Sequence, residues 1–137
     1  MEISRTRPES RRGPEEWFTG EVWLDTIDAG APLPSRMRAL SVHFNPGART
    51  AWHKHPFGQV LHVVEGVGRV QSSGGPVEQI RAGDTIRFGP DEEHWHGAAP
   101  ATFMTHLALQ EADDEGVPAY WGEHVSEAEY LTEPAGA

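Results

Sequence analysis

Two pairs of histidines, His53 with His55 and His94 with His96, are each separated by a single residue. On an extended strand, positions i and i+2 point to the same side, so each pair projects two imidazoles in parallel. Imidazole nitrogen binds divalent cations at about 2.0–2.1 Å, and two such rings can approach one ion. Gln59 follows His55 by four residues across Pro56-Phe57-Gly58. A tight turn there folds the chain back and returns Gln59 to the same face from the adjacent strand. His53 and His55 with Gln59, and the His94–His96 pair, are therefore candidates for holding a metal ion. A second group lies downstream, where alternation over 102–110 puts Thr102, Met104, His106, Ala108 and Gln110 on one side. His106 and Gln110 then share one space, with His96 the other imidazole within reach, and these three are the candidate catalytic residues.

The elements that must position these groups read as strands. Turn clusters recur at Asn45-Pro46-Gly47, Pro56-Phe57-Gly58, Ser72 to Pro76, Ala82-Gly83-Asp84 and Gly89-Pro90-Asp91, between short runs rich in Val, Ile, Phe and Thr. Strands are expected near 20–27, 38–44, 50–55, 59–65, 67–72, 76–80, 85–88, 93–97 and 102–110, in an all-β sandwich or barrel. Gly66 and Gly83 read as turn glycines. Alternation over 38–44 gives Leu40, Val42 and Phe44 one common side, as candidate pocket walls with Ala108. One helix is expected after Ser126, with Glu129 three residues on to complete a capping box. Residues 1–13 read as a flexible arm, 14–130 as one domain and 131–137 as a frayed tail.

Composition narrows the chemistry. The 137 residues contain no cysteine, which removes disulfides, thiolate nucleophiles and cysteine-bound metal. A formal charge of −10 would repel phosphate backbones and anionic lipid surfaces, so no nucleic-acid or membrane partner is expected. Neither a signal peptide nor a spanning run is read, and a cytoplasmic protein is expected. Arg5, Arg7, Arg11, Arg12 and Arg36 crowd the first 36 positions and read as solvated. His43, His62 and His124 read as surface or structural, and Trp17, Trp52, Trp95 and Trp121 as core or interface packing.

The motif Gly47-x5-His53-x-His55-x3-Gln59-x6-Gly66 resembles the first cupin motif, with Gln59 where most of that superfamily carries Glu. Gly83 and His94, eleven apart, resemble the second. There Gly89-Pro90-Asp91 replaces the usual Pro-x-Gly, with Asp91 able to adopt a left-handed backbone, and Ala98 replaces the final Asn. Over 14–130, the segments WFTG (17–20), PGARTAWHKHPFGQ (46–59), HWHGAAP (94–100) and MTHLALQE (104–111) are similar to small bacterial manganese cupins that act as hydroxynitrile lyases. The resemblance implies a jelly-roll barrel. It also implies a manganese ion on His53, His55, His94 and Gln59, and His106 as acid/base.

From the residues themselves, four neutral ligands leave a cation nearly its full charge, which favours Lewis-acid chemistry. Ligand type also admits iron, nickel or zinc. An amide cannot accept a proton, so the base must be an imidazole, His106 or His96, with an ordinary pKa of about 6.5. A cyanohydrin lyase is the favoured reading. A metal-dependent dioxygenase acting on a small aromatic or diketone substrate, or a non-catalytic small-molecule-binding cupin, are the alternatives. The partner expected is a small-molecule substrate, and the assembly a homodimer or homotetramer.

Overall fold

A computed structural model describes residues 1–136. Among these residues twelve strands form two curled sheets that share one long strand, with a single short helix near the C-terminus. The first sheet runs β1 (Arg11–Arg12), β3 (Val22–Asp28), β4 (Met37–Phe44), β11 (Met104–Glu111) and β7 (Gln59–Ser72), with β9 (Thr85–Phe88) also paired to β7. The second sheet contains β2 (Phe18–Thr19), β5 (Arg49–Thr50), β6 (His53–Lys54), β8 (Glu78–Arg81), β10 (His94–Ala98) and β12 (Tyr120–Trp121), with the far half of β7.

β7 makes the closure possible. Residues 59–66 pair with β11, and residues 67–72 pair with β8 and β10 of the other sheet. The sequence predicts two strands broken by a turn at Gly66, but the chain continues as one strand that bends. Gly66 has a φ of 83°, a region closed to most side chains, and a Cβ there would sit 1.9 Å from the Phe103 carbonyl oxygen. The register against β11 slips between Thr105 and His106, a bulge that leaves Val64 and Glu65 outside while Val63 and His106 stay buried. Bends of this kind carry a strand around the corner of a barrel.

The remaining differences from expectation are local. The strand expected over 50–55 is two pieces, β5 and β6. β1, β2 and β12 are two-residue strands too short to leave a period in the sequence. Arg11–Arg12, read as arm, pairs with Leu24 and Trp23 of β3, and Ala135, read as tail, donates its N–H to the Val77 carbonyl at 2.8 Å. Asp91 adopts a φ of 57°, the left-handed turn expected of it. The helix, α1 (Glu127–Tyr130), carries the full Ser126–Glu129 capping box.

Apolar side chains divide into two clusters. Val22, Leu24, Val42, Phe44, Leu61, Val63, Met104 and their neighbours fill the barrel. Val77, Trp95, Val125 and Tyr130, with Trp52 against them, pin α1 to the outside of β10. β10 is therefore buried on both faces along its length, and His94 and His96 point into the barrel while Trp95 points out.

The corner at Gly66 yields a test. Gly66→Ala is expected to lower the unfolding free energy by about 3 kcal/mol or more, because both the backbone angle and the Phe103 carbonyl oppose a Cβ. Urea denaturation of the variant measures this, and a loss below about 1 kcal/mol would mean the strand need not bend there.

Candidate metal centre and cavity

The strand register gathers the chemical residues at one end of the barrel. His94 on β10 stands directly opposite His53 on β6, which in turn stands opposite Trp121 on β12. Gln110 on β11 stands opposite Gln59 on β7, and His106 lies between Val42 and Val63. His53, His55, Gln59, His94, His96 and His106 are all buried.

Three of these imidazoles are anchored alike. The Nδ1–H of His53 donates to the Ala51 carbonyl at 2.9 Å, that of His55 to the Pro118 carbonyl at 2.7 Å, and that of His94 to the Glu92 carbonyl at 2.7 Å. A carbonyl only accepts, so each neutral ring has its proton on Nδ1 and a lone pair on Nε2. This is the arrangement that orients histidines around metal ions. The His53 ring lies 5.0 Å from His55 and 4.4 Å from His94, centroid to centroid, and the His55 Nε2 is buried without a hydrogen-bond partner.

Gln59 supplies the sharper observation. Its amide NH2 donates to Gln110 Oε1 at 3.1 Å, which turns its own Oε1 toward His94 Nε2 at 3.0 Å. With the His94 proton committed to Glu92, an acceptor faces an acceptor. Ligands 90° apart on an ion about 2.1 Å away are themselves about 3 Å apart, so a cation between them turns a repulsive contact into an attractive one. The donor set fits a divalent ion on His53, His55, Gln59 and His94.

His96 also belongs to the cluster. Donor atoms of His53, His94 and His96 lie within 4.8 Å of one another, a triad that includes His96 and omits His55. His55 carries a carbonyl anchor on its Nδ1, and His96 does not. The Nδ1 of His96 instead lies 2.9 Å from His106 Nε2, forming a buried imidazole pair, and its Nε2 has no partner. Burial lowers the pKa of every one of these histidines, to about 4 for His94 and His106 and well below the usual value for His53 and His96.

Above the cluster lies a cavity of about 360 Å³. Leu40, Val42, Ala108 and Gln110 border it, as their strand faces predict. Phe44 does not; it is fully buried behind the histidines, its ring 5.3 Å from His106 and 5.9 Å from His96. Trp17 and Trp121, read from sequence as packing, line the cavity, as do Leu24, Thr50 and the 116–119 loop. Trp52 and Trp95 belong to the outer apolar cluster. The Pro118 carbonyl had no signal in the sequence, since any residue type presents the same main-chain oxygen.

Residues 40–106 match the cupin domain. The chain is 52% identical to an (R)-mandelonitrile lyase of Granulicella tundricola, over 95% of this chain and 98% of that one. This protein is a cupin. A solved cupin-like protein from Thermotoga maritima superposes with a TM-score of 0.84 at 36% identity, covering 92% of this cupin and 94% of the other chain. The polyketide cyclase RemF from Streptomyces resistomycificus shares the fold alone, with a TM-score of 0.67 at 20% identity over 95% and 91% of the two chains. Among the described residues of this cupin no helix is long and apolar enough to cross a membrane.

The buried imidazoles make stability depend on pH. Their folded pKa values lie below the ordinary 6.5, so the unfolded chain binds protons first and stability falls as pH drops from about 6.5 toward 4. His94 and His106 each contribute up to about 1.4 kcal/mol per pH unit across that window. Thermal melting of the metal-free protein is expected to show a falling Tm already near pH 6, above the range where carboxylates titrate. A flat Tm from pH 7 to 5 would contradict it.

Proposed function

We propose that this cupin is a metal-dependent hydroxynitrile lyase, cleaving a cyanohydrin to an aldehyde and hydrogen cyanide or forming it in reverse. The observation that carries the reading is the neutral set of His53, His55, Gln59 and His94 at the base of an apolar cavity, with an unliganded imidazole pair beside it. Its kinship with a mandelonitrile lyase supports the same chemistry. Manganese is the proposed ion, with iron, nickel or zinc able to replace it, and a homodimer or homotetramer in the cytoplasm is the proposed state.

A divalent ion held by these four side chains supplies Lewis acidity that makes an alcohol easier to deprotonate. The protein's own residues do the rest. Leu40, Val42 and Ala108 receive the aromatic or alkyl group of the substrate and keep water from it. The hydroxyl proton passes to the His96–His106 pair, with His106 as the acid/base. Burial keeps both rings neutral, so one can accept a proton while its partner holds it in place. As the carbonyl forms, the electrons of the C–C bond leave with cyanide, and the imidazolium returns its proton to give hydrogen cyanide. Gln110 holds the Gln59 amide, so that its oxygen rather than its NH2 faces inward.

Gln59 also weighs against an oxygen-using reaction in which the fourth ligand doubles as base, since a carboxamide cannot take up a proton. Cyanide release from mandelonitrile by the manganese-loaded protein tests the assignment. His106→Ala is expected to slow it by about 100-fold or more with little change in bound metal. Equal rates in the two proteins would remove His106 from the mechanism, and no cyanide from either would end the lyase reading.

A further inference from the structure

His53 is braced from two directions by segments remote in sequence. β12 sets Trp121 directly opposite it, and the indole stacks on the imidazole with centroids 4.5 Å apart and planes 25° apart. Trp17, from the turn that precedes β2, stacks in turn on Trp121 at 5.0 Å and 6°. The main chain makes a second connection. The Trp17 carbonyl accepts the Ala51 N–H at 2.7 Å, and the Ala51 carbonyl accepts the Nδ1–H of His53 at 2.9 Å. Ring and backbone of Trp17 therefore end on the same imidazole, one through Trp121 and the other through the main chain of Ala51. Phe18, buried against Phe44 and 5.9 Å from the Trp121 ring, ties this turn to the core.

An imidazole held by one hydrogen bond can still swing about it. A plane stacked on its face removes that freedom and leaves Nε2 aimed along one direction. Trp17 remains 40% exposed, so the barrel core does not account for its position.

We propose that Trp121, backed by Trp17, is a positioning residue that fixes the His53 imidazole toward a divalent cation, so that cation binding and docking of residues 14–19 reinforce one another. The inference rests on His53 being a cation ligand. The reinforcement is reciprocal, because whatever docking adds to cation affinity the cation must return to docking. Partners that orient metal-bound histidines typically contribute roughly 10–100-fold in affinity.

Calorimetric titration with manganese chloride tests the column in the full-length wild type, Trp121→Leu, Trp121→Phe, Trp17→Leu and His53→Ala. Trp121→Leu is expected to weaken manganese binding by roughly tenfold or more, Trp121→Phe to restore most of it, and Trp17→Leu to weaken it less than Trp121→Leu. Trypsin cleavage after Arg12 supplies a readout that a purely structural role would not move. Manganese should slow it in the wild type and fail to do so in Trp17→Leu, which alters a part-exposed residue and keeps the test readable if Trp121→Leu does not fold. Wild-type affinity in both tryptophan variants, with binding lost in His53→Ala, overturns the column and leaves the cation site standing. Wild-type affinity in His53→Ala overturns both. Equal protection by manganese in the wild type and Trp17→Leu overturns the coupling.

Discussion

Five imidazoles and one carboxamide share the interior of a small barrel, and none of them can carry charge there at low cost. Each neutral imidazole has one proton to place, and where it goes decides where the lone pair points. Carbonyls of Ala51, Glu92 and Pro118 take the protons of His53, His94 and His55. Two of those carbonyls lie two residues before the ring they orient. The third comes from a loop more than sixty residues away, so the path of that loop is part of the site.

The sheets answer the same constraint. β10 carries His94 and His96 inward and Trp95 outward, which requires apolar cover on both sides and explains why so small a helix is retained at the C-terminus. Tyr130 completes that cover, its hydroxyl donating to the Ala98 carbonyl at 2.6 Å. On the opposite wall, the bend of β7 at Gly66 lets one strand serve both sheets. The accompanying bulge keeps His106 facing inward past the corner.

An amide at position 59 changes what the site can do. It offers an oxygen without a negative charge, so an ion held there would keep its electrophilic strength, and in the proposed reaction proton transfer falls to the His96–His106 pair. Relatives sharing the barrel at lower identity include a polyketide cyclase. The fold alone therefore does not specify a reaction; the residues facing the cavity do.

Much of this was legible in the linear chain, for a definite reason. Period-two alternation assigns His106, Ala108 and Gln110 to one face and pairs His94 with His96, because strand geometry leaves side chains only two directions. The capping box and the left-handed Asp91 are likewise local, decided by a residue and its near neighbours. What lay beyond reach depended on contacts across the chain. Phe44 shares a strand face with Leu40 and Val42, yet the curl of the sheet sets it behind the histidines rather than beside the cavity. Two tryptophans that look like packing residues become walls, because the two-residue β12 and the turn before β2, too short to leave a pattern, deliver them there. The Pro118 carbonyl is a main-chain atom with no identity of its own. The linear order determined which groups are available and which of them face the same way; the closure of the barrel decided which ones meet, since that depends on bends and registers no single segment encodes.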